Sequence, residues 1–176
     1  MSRVGACLVA QWLLSGGLLV GAAAGAEPQE AVWARAWVSW VMDGDTLLLV
    51  PEGQKEAIKV RVDGIDAPET CQPGGEASRD AMIRLAMRKT VELRQFGHDH
   101  YGRQVAQVRS GDVDLGAEMV RTGMAWAYRY RVGVGPYAKL QKRAQQDRRG
   151  LFGASETAMS PAVFRKFHGS CHAPMN

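Results

Sequence analysis

The sequence predicts an α+β protein, a small β-barrel of five short strands carrying three helices. Short apolar segments with a period of two are separated by Gly, Pro and Asp-Gly turn signals, and a helical period interrupts them after the third strand. The 176-residue chain is long enough for one compact domain with a sizeable core and little more.

Trp33 to Trp40 reads as the first strand, with Val38 and Trp40 on one face, and Asp43-Gly44 supplies hairpin-turn chemistry before a partner strand from Thr46 to Val50. A second turn at Pro51-Glu52-Gly53 leads to Ile58–Val62, where Ile58, Val60 and Val62 alternate with Lys59 and Arg61. Arg61 therefore faces away from the apolar side. Strict alternation would put Asp66 on the opposite face. Gly64, as a bend inside the strand, resets that parity and lets both residues approach one site, and Pro68 ends the strand.

Glu76 to Arg88 carries Ala77, Ala81 and Leu85 at helical spacing, with Arg79 roughly opposite. Val91 to Phe96 and Gln104 to Val108 are the fourth and fifth strands. They flank the polar turn His98-Asp99-His100-Tyr101-Gly102, and Arg103 stands where the second of them begins. Asp114 is a suitable N-cap for a helix through Arg121, which Gly123 ends. Met124 to Tyr130 is a short mixed segment. The last helix opens at Pro136, buries Leu140 and Ala144, carries Arg148 and Arg149 in its final turn and stops at Gly150. Beyond Gly153 no period is visible. Five short strands with an inserted helix fit the five-stranded oligonucleotide-binding barrel, and an open antiparallel sheet covered by the helices is the alternative.

Residues 33–153 hold these elements, and residues 154–176 form a C-terminal tail. Residues 1–26 read as a secretory signal peptide: Arg3 precedes an uncharged run from Val4 to Ala26, and Ala24-Gly25-Ala26 resembles a small-residue cleavage site. An uncleaved membrane anchor is the alternative, since about 20 apolar residues can span a bilayer. Gly16, Gly17, Gly21 and Gly25 break the run, however, and its strongly apolar part, Gln11 to Val20, is short. The expected mature protein is secreted or periplasmic, without stable membrane association. It retains Cys71 and Cys171, which either pair as a disulfide or remain two thiols. The formal charge of +4 favours polyanionic partners weakly. No apolar stripe calls for an obligate dimer, so a monomer is expected.

Two acidic clusters carry the chemistry: Asp43-Gly44-Asp45-Thr46 and Asp66-Ala67-Pro68-Glu69, with Arg61 between them and Arg103 arriving from a later hairpin. Carboxylates that reconverge through the fold make a hard-oxygen site suited to calcium or magnesium, and arginines beside it can hold a phosphate. An EF-hand is excluded, because Leu48 and Gln54 stand where that loop needs glycine and glutamate. His168, Cys171 and His172 are too few and wrongly spaced for a zinc site.

These motifs, together with Tyr101-Gly102-Arg103, Val120-Arg121-x-Gly123 and Ala127-Tyr128-Arg129-Tyr130, resemble those of the thermonuclease, or staphylococcal-nuclease-like, family over roughly Trp33 to Gly153. The resemblance implies a calcium-dependent phosphodiesterase that cleaves DNA and RNA to 3′-phosphate ends. Asp45, Asp66 and the Ala67 carbonyl would bind calcium, Glu69 would be the general base, and Arg61 and Arg103 would hold the scissile phosphate. Tyr101, Tyr128 and Tyr130 would line the nucleotide site. Glu69 could equally organise water without taking its proton, and Asp43 would shape the turn behind the metal ligands. The segment between Glu69 and Glu76 is shorter than in well-known members and contains Cys71, and His100 replaces a customary lysine. A non-catalytic nucleic-acid-binding module of the same fold is the other reading, with Tyr101, Trp126, Tyr128 and Tyr130 as stacking platforms.

Overall fold

A computed structural model describes residues 33–128, 135–153 and 159–171. Its strands are β1 (Ala34–Val41), β2 (Thr46–Pro51), β3 (Ile58–Val62), β4 (Ile65–Asp66), β5 (Thr90–His98), β6 (Gln104–Ser110), β7 (Val113–Asp114) and β8 (Trp126–Ala127). The helices are α1 (Gly75–Ala86), α2 (Leu115–Arg121), α3 (Ala138–Gln146) and α4 (Pro161–His168), with a 3-10 turn at Gly150–Gly153.

The principal sheet runs β3-β2-β1-β5-β6, with β7 at its end, and a parallel pairing of β3 with β6 closes the five long strands into a barrel. Alternation along each strand supplies the interior: Val38, Val41, Leu47, Leu49, Val60, Val62, Leu93 and Val108 are buried. Met82 of α1 and Leu115, Met119 and Val120 of α2 pack onto the same core. Each fully buried leucine or valine contributes about 1.5 to 3 kcal/mol.

Register brings the polar groups together. Thr46 opposes Arg61 across the β2–β3 pair, and Arg61 pairs with Val105 across β3–β6, so the acidic turn, Arg61 and the start of β6 meet at one barrel end. Gly64 turns the chain between β3 and β4 at φ +77°, a conformation natural to glycine, and a Cβ there would press on the Tyr137 ring. The expected change of parity is therefore present.

Three local expectations fail. A bulge between Val38 and Trp40 shifts the β1–β2 register, so Val38 is buried while Trp40 is 49% exposed. An extra residue flips the faces that simple alternation assigns. In α1 the buried positions are Gly75, Ser78, Ala81, Met82 and Ala86 rather than a stripe through Ala77, which is exposed. The tail read as aperiodic carries α4: the Ser160 hydroxyl accepts a hydrogen bond from the Val163 N–H, Pro161 occupies the first turn, and Gly169 follows the last residue. The helix is only 8 residues long, too short for its period to stand out. Residues 1–26, the proposed signal peptide, lie outside the described residues, and among the described residues no helix is long and apolar enough to cross a membrane.

Candidate active site at the barrel end

A cleft of about 490 Å³ opens where the β1–β2 turn, β3, the β4–α1 loop and the β5–β6 turn converge, lined by Asp45, Arg61, Asp66, Glu69, Arg103 and Arg165 among others. The acidic hairpin fits because Gly44 has no side chain, as a Cβ there would collide with Ser78 Oγ and Ala67 Cβ. Asp43 shapes the turn, its Oδ1 accepting the Asp45 N–H at 2.9 Å. The loop after β4 is fixed in a similar way, since a Cβ on Gly75 would collide with the Glu69 carbonyl.

Asp45 and Asp66 are each 6% exposed, an unusual burial for carboxylates and one that demands compensation. Asp45 Oδ2 accepts from Arg61 at 2.9 Å and from the Ala67 N–H at 3.0 Å, while Oδ1 accepts the Thr46 hydroxyl at 2.9 Å. Burial works against its charge, but Arg61, the Ala67 N–H and Thr46 together hold its carboxyl below the usual range. Arg61 also lies 3.5 Å from Asp66, so one guanidinium spans both carboxylates. For Asp66, burial prevails and pushes the pKa up, despite hydrogen bonds from Arg165. Burial, and then the charge of Asp45, push the Asp43 carboxyl up to about 7.

Arg103 is held by a separate partner. Its Nε and Nη2 both reach Asp99 Oδ2 at 2.7 Å, and its Nη1 donates to the Thr46 hydroxyl at 3.3 Å. Asp99 also accepts the N–H groups of Tyr101 and Arg103, each at 3.0 Å. Burial is the largest single influence and works against the Asp99 charge, but the Arg103 side chain and N–H and the Tyr101 N–H together outweigh it and hold the carboxyl below the ordinary range. Thr46 thus joins the two halves of the site, its hydroxyl donating to Asp45 and accepting from Arg103.

The aromatic residues divide. Tyr101 is 73% exposed, leans on His100 with ring centroids 3.8 Å apart and planes tilted by 42°, and has the Arg103 guanidinium carbon 5.4 Å from its ring. Tyr128 is on the cleft wall with Arg61 5.6 Å from its ring. Trp126, named above as a stacking platform, is 8% exposed and edge-on to Phe152, so it belongs to the core. Tyr130 lies outside the described residues.

The sequence assigns no site role to Asp99 or Arg165, both of which line the cleft. Asp99 was signalled only as part of a polar turn, though an Asp four residues before an Arg across a tight turn is a recognisable clamp. Arg165, from α4, donates to both oxygens of Asp66 at 3.2 and 2.9 Å and to Glu69 Oε1 at 2.9 Å. Burial disfavours its charge, yet the hydrogen bonds and attraction of Asp66 and then Glu69 push its pKa above the ordinary arginine value. The tail is anchored beside it by a disulfide between Cys71 and Cys171, whose Cα atoms are 5.8 Å apart.

The donor chemistry suits a hard divalent cation: two carboxylates and a hydroxyl, all of them oxygen donors, with one guanidinium spanning the carboxylates. Among the described residues no three acidic, histidine or cysteine side chains form a ready cage, and arginines supply the positive charge that the buried carboxylates require. Such a cation would meet the same requirement.

Residues 59–153 match the model of the staphylococcal nuclease homologue family. The chain is 37% identical over 126 residues to a Haemophilus influenzae protein named an uncharacterized endonuclease, covering 72% of this chain and 70% of that one. It is 34% identical over 148 residues to a protein of Shigella flexneri named micrococcal nuclease, covering 76% and 83%. It is 32% identical over 147 residues to an Escherichia coli protein named ParB, covering 76% and 81%. With more than half of its length matched by the family model and relatives of this identity along most of theirs, the chain belongs to the staphylococcal nuclease homologue family.

Proposed function

We propose that this protein is a calcium-dependent nuclease that hydrolyses phosphodiester bonds in DNA and RNA and leaves 3′-phosphate ends, acting in the periplasm or outside the cell. The observation that carries this reading is the pair of separately fixed arginines facing one acidic cleft. Arg61 is pinned by Asp45 and Asp66, and Arg103 by Asp99 and Thr46. A binding module needs positive charge but gains nothing from buried carboxylates that repel phosphate.

Asp45, Asp66 and the Ala67 carbonyl would hold calcium. When bound, the ion neutralises phosphate charge and lowers the cost of generating a hydroxide-like nucleophile. Arg61 and Arg103 offer the phosphate oxygens the guanidinium N–H groups that their partners leave over, and because those partners already fix them, little reorganisation accompanies charge build-up in the transition state. Glu69 accepts a proton from the attacking water at a carboxylate oxygen. The water oxygen bonds to phosphorus, the bond to the 5′-oxygen breaks, and that oxygen takes up a proton from solvent as it leaves. Tyr101 and Tyr128 flank the nucleotide. The disulfide supports a place outside the reducing cytoplasm, and a monomer is sufficient because every group invoked comes from one chain.

The test is incubation of the purified mature protein with end-labelled single-stranded DNA and RNA, with calcium or with a chelator. Cleavage to 3′-phosphate ends that the chelator abolishes is expected. Cleavage that the chelator leaves untouched, or tight binding without cleavage, would overturn the proposal.

A further inference from the structure

The tail reaches the cleft by a short and firmly anchored route. Just before α4, the Met159 carbonyl accepts a hydrogen bond from the Gln72 side chain at 2.7 Å, and just after it Cys171 is bonded to Cys71. Both anchors sit on the loop that directly follows Glu69. Between them Phe164 is buried, which fixes the face that α4 turns inward and delivers its neighbour Arg165 to the cleft. The Arg165 side chain keeps 34% of its surface exposed, whereas Asp66 and Glu69, to which it is bonded, keep 8% and 16%. A partly exposed cation is therefore seated on two largely buried carboxylates.

Those carboxylates are the ones to which the proposed function gives a metal ion and the attacking water. The Arg165 fork uses both oxygens of Asp66 and one of Glu69. A cation coordinated by Asp66 and a guanidinium bonded to the same oxygens compete for the same lone pairs. We propose that Arg165 is a tethered internal competitor for the divalent-cation site, holding Asp66 and Glu69 idle until calcium displaces it. The competition is intramolecular, so the disulfide and the Gln72 contact give the guanidinium a high effective concentration that dilution cannot lower. Apparent calcium affinity is then reduced by the fraction of molecules in which Arg165 is seated. Arginine side chains are long, so Arg165 can swing aside while α4 stays anchored.

This inference rests on the assignment of Asp66 to calcium, and its test reads calcium binding rather than turnover. Isothermal calorimetry at low ionic strength would compare the wild-type mature protein with Arg165→Met, Arg165→Lys, a Cys71→Ser/Cys171→Ser double variant, and the triple variant combining Arg165→Met with both serines. About a tenfold gain in affinity is expected for Arg165→Met and a smaller gain for Arg165→Lys, which keeps the charge but loses the fork. Loosening the tether while keeping Arg165 should gain several-fold. The triple variant should bind no more tightly than Arg165→Met alone, because the tether acts only through Arg165. Equal or weaker calcium binding by Arg165→Met, or strictly additive gains in the triple variant, would overturn the inference while leaving the nuclease reading intact. Absence of calcium binding in every protein would overturn both.

Discussion

The two walls of the cleft are built by different means. On the barrel wall, Asp45, Arg61 and Asp66 stand at strand ends whose positions follow from register, with Thr46 opposite Arg61 and the Gly64 bend carrying Asp66 back. On the other wall, Arg165 bonds to Asp66 across a sequence separation of 99 residues, and what holds it there is a disulfide and a few side-chain contacts. A group placed by a sheet is fixed as firmly as the core beneath it. A group placed by a staple is only as fixed as the staple, which suits fixed chemistry to the barrel and a movable competitor to the tail.

The largest effect is expected from the barrel wall. Arg61→Ala removes both a proposed phosphate donor and the guanidinium that spans Asp45 and Asp66. A fall in kcat/KM of roughly 10² to 10³ or more is expected, measured on a labelled oligonucleotide. Retention of full rate would show that the barrel wall is not the catalytic one.

A smaller effect is expected from cutting the staple. Cys71→Ser with Cys171→Ser should cost about 2 kcal/mol in chemical unfolding, at the low end for a disulfide, because a terminal segment can detach without unfolding the barrel. Hydrogen exchange sharpens the contrast: amides of α4 should lose protection while those of β3 and β6 keep theirs. Equal loss in both regions would mean that the tail is an integral part of the core.

The smallest effect belongs to the clamp on Arg103. Asp99→Asn keeps an acceptor oxygen but loses the charge, and should lower kcat/KM by about three- to tenfold through poorer orientation of Arg103. The Asp99 carboxyl is held below its unfolded value of 3.8, so the stability it contributes is fully present above about pH 4 and is lost as the pH falls through its folded pKa. Thermal melts of wild type and Asp99→Asn should therefore converge as the pH is taken below that value. A gap unchanged by acid would contradict the pairing.

The same division explains what could be read without the structure. Alternation in Ile58–Val62, the Asp43-Gly44 turn and the Asp114 cap are local signals, and the structure has β3, the hairpin and α2 where they point. The convergence of Arg61 with Asp66 was readable because one glycine announced a change of parity. Trp40 was misplaced because a bulge leaves no such mark. The Asp99 clamp on Arg103 is local and legible from its four-residue spacing, whereas the place of Arg165 depends on a pairing of Cys71 with Cys171 that the sequence leaves open.

The central claim is that separately pinned arginines act on a phosphate held at the acidic barrel end. Its most direct test is Arg103→Ala, because Arg103 is hydrogen-bonded to Asp99 and Thr46, whereas the ion pairs of Asp45 and Asp66 are to Arg61 and Arg165. Single-turnover cleavage of a labelled oligonucleotide, measured beside calorimetric calcium binding, should show a rate loss of about 10² to 10³ with calcium affinity nearly unchanged. Full-rate cleavage by Arg103→Ala would contradict the account.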